Sequence, residues 1–118
     1  MAIPHISPNK IIDMRPLGRE ISEEDSQLLI RTGHLEVFRY ALPAGKSIQE
    51  HTAAGLMIVQ CIEGAVAFTA LGRTQTLAAG DMLYLEHEAP HSLAALADSS
   101  LRDDPAAPCL APAIAAAK

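Results

Sequence analysis

The sequence predicts an all-β domain, a sandwich or barrel of short strands, on three observations. Apolar and polar residues alternate over runs of four to eight from Gln27 onward. Glycine-containing turns separate these runs at regular intervals, at Gly33, Gly45, Gly55, Gly64, Gly72 and Gly80. No stretch carries the 3.6-residue apolar period of an amphipathic helix. Many short strands with turn signals at even spacing are the mark of a closed or double-layered β architecture.

The elements follow in order. Residues 1–26 mix Pro and Gly with the acidic cluster Glu23-Glu24-Asp25, and Ile11–Met14 is their one apolar run. This predicts an N-terminal arm with one short strand. The Ser22-x-x-Asp25 pattern has capping chemistry, but no periodic face follows it, so a loop is expected there. Leu28–Arg31 and Leu35–Leu42 flank Thr32-Gly33-His34, a connection that suits a hairpin. Pro43-Ala44-Gly45 turns the chain into Lys46–His51, and Thr52–Gly55 turns it again. Leu56–Ile62 is apolar except at Gln60, which predicts a strand covered on both faces. Ala65–Ala70, Thr74–Leu77, Met82–Leu85 and His91–Leu96 complete the barrel, expected to span residues 27–101. Residues 102–118 are rich in Ala and Pro, with Pro105, Pro108 and Pro112 set against any regular ladder, and are expected to form an irregular, disordered tail.

A chain of 118 residues suits one domain. Hydrophobic residues make up 49% and aromatic residues only 3%, so the interior must be aliphatic and the stacking platforms that bind single-stranded nucleic acid are excluded. A net charge of -5 gives no basic field for nucleic acid or an acidic membrane surface. No run reaches the length of a membrane span, and Met1–Asn9 lacks the order of a signal peptide, so a cytoplasmic protein is expected. Cys61 and Cys109 form no C-x-x-C pair and are expected to stay reduced. There is no G-x-S-x-G elbow, P-loop or dinucleotide fingerprint.

Two segments carry the candidate chemistry. In the first, Gly45, His51, Ala53, Met57 and Gly64 stand at the places of G-x5-H-x-H-x3-4-E-x6-G. In the second, Gly80, Glu86, Glu88, His91 and Ala95 stand at the places of G-x5-P-x-G-x2-H-x3-N. On these residues the chain resembles the cupin superfamily over Gly45–Leu96. It is also similar to a subgroup of small bacterial cupins in which the second His is normally absent, and whose members mostly lack an assigned activity. The resemblance implies a double-stranded β-helix, or jelly-roll barrel, to which this chain adds the N-terminal arm and the irregular C-terminal tail read from its composition. It also implies an apolar last strand closing the barrel, which this sequence lacks, so the open edge is expected to be covered by the arm or by a partner.

In that family the two His and the Glu of the first segment and the His of the second converge on one divalent metal. Here the resemblance supplies only His51 and His91, since Ala53 has no donor and Met57 has a thioether. Two imidazoles are fewer than the three protein ligands of an ordinary catalytic zinc. A third ligand has to come from Glu86, His87 or Glu88, or from Cys61. With His51 facing inward, the family spacing implies that Met57 faces the same cavity, and alternation from it adds Val59 and Cys61, joined by Phe68 and Leu85.

Two functions of different class follow. One is a module that binds a small organic ligand in this cavity, with His51 and His91 as polar anchors of a degenerate metal site and no metal at all. The alternative is a metal-dependent enzyme, dioxygenase- or isomerase-like, in which His51, His91 and a nearby carboxylate or His hold iron, zinc, nickel or manganese. The second apolar face of Leu56–Ile62 also predicts a homodimer.

Overall fold

The computed structural model describes residues 6–33, 35–52, 55–86 and 89–105. Along each run the alternation of side chains puts one set of residues between two sheets and the other set outside. The strands are β1 (Gln27–Arg31), β2 (Glu36–Leu42), β3 (Ser47–His51), β4 (Met57–Glu63), β5 (Ala65–Ala70), β6 (Arg73–Ala78), β7 (Met82–Leu85), β8 (His91–Ala95) and β9 (Ser99–Pro105). One sheet has the order β1-β2-β9-β4-β7 and the other β3-β8-β5-β6, and every pairing is antiparallel. The expected jelly roll is therefore present.

The core lies between the sheets. Val59 and Cys61 of β4, Val66 and Phe68 of β5, Leu93 of β8 and Leu101 of β9 are buried in one cluster. Fully burying a Val, Leu or Phe side chain contributes about 1.5–3 kcal/mol, and an aliphatic core of this kind supplies most of the stability.

Three expectations need correction. The barrel does not end at residue 101, because β9 runs to Pro105 and occupies a central place between β2 and β4. Its composition is polar, yet each polar residue has a local answer. Ser99 is fully buried and bonds the Ala65 and Ala97 carbonyls, while Arg102 and Asp104 pair at 2.7 Å on the outer face. Only Leu101 has to be apolar, and Pro105, which has no N–H, stands at the strand's end. The expected missing closing strand is this one. The part of the expected tail after residue 105 lies outside the described residues.

The second correction concerns the arm. Ile11–Met14 forms no strand, and Ile11 is almost fully exposed, since no neighbouring strand offers it a ladder. Third, the Ser22 pattern does start a turn. Glu23–Asp25 is one turn of 3-10 helix whose Ser22 side chain accepts from the Glu24 backbone, while the Asp25 carboxylate accepts from the Ser22 backbone at 3.0 Å. A single turn needs no apolar period.

The arm lies over the outer face of β2 and β9. The Glu63 carboxylate accepts hydrogen bonds from the Leu17 and Gly18 backbones and from the Ser100 hydroxyl at 2.8, 3.2 and 2.6 Å. Arg39, buried on the same face, donates to the Arg15 carbonyl at 2.8 Å and lies 3.4 Å from Glu63. Burial pushes the Glu63 carboxyl up, but these donors and the Arg39 charge outweigh it and leave it below the ordinary value.

Candidate functional site

The space between the sheets is not fully filled by the core. A cavity of about 380 Å³ remains, walled by β3, β5 and β8 on one side and by β2, β4 and β9 on the other. Small-molecule sites ordinarily have volumes of ~300–1,000 Å³ and a mostly apolar wall. Met57, Val59, Leu93 and Leu101 supply apolar wall here, and Tyr40 and Phe68 add aromatic faces.

His51 reaches this cavity through a β-bulge. Ile48 pairs with Leu93, and His51 pairs with His91, so β3 uses one more residue than β8 over that interval. Strict alternation from the inward Ile48 would send position 51 outward. The extra residue reverses the parity and puts His51 on the cavity wall beside His91, the re-aiming that bulges perform next to sites.

Both imidazoles are held in the same way. The Nδ1 of His51 lies 2.9 Å from the Gln49 carbonyl, and the Nδ1 of His91 lies 2.9 Å from the Ala89 carbonyl. A carbonyl only accepts, so each Nδ1 carries the proton, and in the neutral ring Nε2 is left as an acceptor. The Nε2 of His91 is buried and meets no partner among the described residues. Burial pushes the His91 pKa down, with the nearby His51 acting in the same direction against the Ala89 hydrogen bond.

Asp103 is the cavity residue that sequence reasoning missed. It pairs with Val59 on β4 and with Phe38 on β2, and alternation from the inward Leu101 turns it to the same side. Its Oδ1 is buried without a hydrogen-bond partner among the described residues. Burial, helped by the adjacent Asp104, pushes its carboxyl up to about 6, with His51 opposing. Tyr40 stacks on Phe38 at 5.7 Å, and its phenol is pushed up by burial and by the negative charges of Asp103 and Glu36. The signal was in the period-two pattern of Ser99–Asp103, masked by its polarity.

The other expected residues divide. Met57, Val59 and Phe68 are on the cavity wall. Cys61 and Leu85 are buried in the core behind it, the Cys61 thiol donating to the Glu63 carbonyl at 3.4 Å and pushed up in pKa by burial. Glu86 is not brought to the cavity. It sits on the outer side of the barrel with Leu56, Ile58, Met82 and Tyr84. His87 and Glu88 lie outside the described residues.

A divalent metal fits this arrangement poorly. The acceptor Nε2 atoms of His51 and His91 suit it, but among the described residues no three His, Cys, Asp or Glu side chains stand close enough together to hold an ion.

The comparisons bear on the same segment. The AraC-like ligand binding domain family matches residues 34–103. No curated protein matches the chain closely enough to count as a relative. Among solved structures, a conserved protein of unknown function from Streptococcus pyogenes is 21% identical, with a TM-score of 0.70 over 92% of this chain and 96% of that one. A cupin superfamily protein from Desulfitobacterium hafniense is 16% identical, with a TM-score of 0.68 over 82% of this chain and 98% of that one. A salicylate 1,2-dioxygenase from Pseudaminobacter salicylatoxidans is 28% identical, with a TM-score of 0.63 over 71% of this chain but only 24% of that one.

Proposed function

Since the chain belongs to the family of AraC-like ligand-binding domains, small barrels of the cupin type, we propose that it binds a small organic molecule in the cavity between its sheets. The observation that carries this reading is the buried Nε2 of His91, an acceptor without a partner among the described residues on a mostly apolar wall. An unpaired buried polar group costs about 1–3 kcal/mol, and a ligand that supplies the missing donor recovers that cost. His51 and His91 act as the polar anchors, and Met57, Val59 and Phe68 as the apolar bed. The test is a thermal-shift screen of small organic molecules against the wild type and His91→Ala. A compound that stabilises the wild type and loses its effect in the variant supports the reading. A screen in which every stabiliser acts equally on both proteins contradicts it.

One observation favours the second reading, metal-dependent catalysis. Both histidines have Nδ1 tied to a carbonyl, which is how ligating imidazoles are commonly oriented. With the described residues offering no third ligand, that reading rests on His87 or Glu88. Elemental analysis of protein purified without chelators decides it, and stoichiometric metal lost in both His51→Ala and His91→Ala would establish it.

The same proposal includes a homodimer. β7 is the edge of its sheet, and its Met82 and Tyr84, with Leu56 just before β4, are large exposed side chains at 60%, 63% and 44% of their full area. A second copy is the partner that the outer face of β4 and β7 suits best. We place the protein in the cytoplasm, in keeping with the free thiol of Cys61. Among the described residues no helix is long and apolar enough to cross a membrane.

A further inference from the structure

Two buried polar atoms of the cavity wall are acceptors without a described donor. Asp103 has a buried carboxylate oxygen with no partner among the described residues, and His91 has the Nε2 that its Ala89 bond leaves as an acceptor. His51, bonded to Gln49 in the same way, offers a second acceptor nitrogen on the wall. Among the described wall residues the single permanently cationic side chain is Lys46, and its Nζ is engaged by the Glu23 carboxylate at 3.0 Å. A ligand carrying a carboxylate or phosphate would meet Asp103 with no free cation to offset it, and like charges brought together out of water repel strongly.

Donors are what these acceptors lack. We propose that the cavity selects a small organic amine, protonated at neutral pH, whose ammonium group is taken by the Asp103 carboxylate while His91 Nε2 accepts a second hydrogen. This rests on the reading of the barrel as a ligand-binding module and names the class of its ligand. The wall suits such a molecule in its other parts. Tyr40 and Phe68 offer aromatic faces, which attract cations through their ring quadrupoles. Met57, Val59, Leu93 and Leu101 receive a hydrocarbon body. Burial raises the Asp103 carboxyl to about 6, and an ammonium placed beside it favours the ionised form. The net charge of -5 favours the approach of cations over anions.

The experiment uses three probes that share the 2-phenylethyl group, 2-phenylethylamine, 2-phenylethanol and 3-phenylpropanoate, titrated calorimetrically into the intact protein at pH 7.5. The amine is expected to bind, the alcohol to bind more weakly and the acid not to bind. In Asp103→Asn, which keeps the side-chain shape, the amine is expected to lose at least about tenfold in affinity, as befits a charged hydrogen bond. The alcohol should lose much less. Asp104→Asn, whose carboxylate pairs with Arg102 on the outer face, serves as the control and should leave amine binding unchanged. Circular dichroism melts of both variants show that a loss is not unfolding. Binding of the acid in preference to the amine, or amine affinity unchanged in Asp103→Asn, overturns the proposal while leaving the barrel a ligand-binding module. Failure of the amine to bind the wild type also overturns it, and the wider module reading then stands or falls on the His91 screen.

Discussion

His51 and His91 lie directly opposite each other on β3 and β8, with ring centroids 4.2 Å apart and ring planes inclined by 61°. Two imidazolium charges at that separation repel, and the buried ring yields first. His91 should therefore titrate below the ordinary value of 6.5, chiefly through burial. Because its folded pKa is depressed, the folded chain holds fewer protons than the unfolded chain just below that value. Its contribution to stability is complete above pH 6.5 and shrinks as pH falls. Proton NMR titration of the ring hydrogens checks the midpoint. His51→Ala, by removing the repelling partner, should move it upward.

Asp103 has the opposite sign. Its carboxyl is raised from 3.8 to about 6, so the folded chain keeps a proton that the unfolded chain has released across that interval. Stability falls as pH rises through the window, and the ionised group is a cost above it. Asp103→Asn should be more stable than the wild type by roughly 1–3 kcal/mol at pH 8, since each tenfold change in proton affinity is worth about 1.4 kcal/mol. At pH 3.5 the advantage should have vanished. Urea unfolding at the two pH values measures both, and a destabilised variant at pH 8 would count against the burial of this carboxylate.

Gly64, between β4 and β5, has φ of +81° and faces the Asp98 carbonyl and Ser99 so closely that an added methyl would collide with backbone. Gly64→Ala combines a disfavoured backbone with overpacking and should cost about 2–4 kcal/mol. Chemical denaturation gives the value.

Removing the Glu63 carboxylate should release the arm. Glu63→Ala leaves the Leu17 and Gly18 amides and the Ser100 hydroxyl without their acceptor, and the Arg39 charge without the carboxylate beside it. Breaking a buried pair by deleting one member costs about 3–5 kcal/mol. Tryptic cleavage after Arg15 and Arg19 should become faster by an order of magnitude or more, roughly the minimum set by 1.4 kcal/mol per tenfold. An unchanged cleavage rate would mean that other contacts hold the arm.

Tyr84→Glu puts a charge in the centre of the exposed face beside β7. If two copies meet there, the variant should be monomeric where the wild type is dimeric, since a desolvated unpaired charge opposes association. Light scattering on both proteins gives the masses, and a monomeric wild type would remove the dimer from consideration.

Much of the barrel was legible because its evidence is local. β4 declares itself by an apolar run, and β5 to β8 by glycine turns and alternation. The pairing of His51 with His91 was legible only by resemblance, since the bulge that turns His51 inward depends on its partner strand. β9 was not legible for a related reason. The segment Ser-Ser-Leu-Arg-Asp-Asp-Pro reads as solvated chain until β2 and β4 are placed on either side of it. Asp103 was lost with that strand, and with it a buried carboxylate of the cavity wall.

The central place of β9 has a consequence for how the molecule is assembled. β2 and β4 flank the strand, yet both precede it in the chain by a long interval. A growing polypeptide therefore exposes two unsatisfied strand borders until residues 99–105 emerge, and the final pairing has to close large loops on both sides at once. Such non-local closure is slow. Folding should show a late, rate-limiting insertion in which amides of β2 and β4 gain protection together, and molecules stalled before it are the ones most exposed to aggregation.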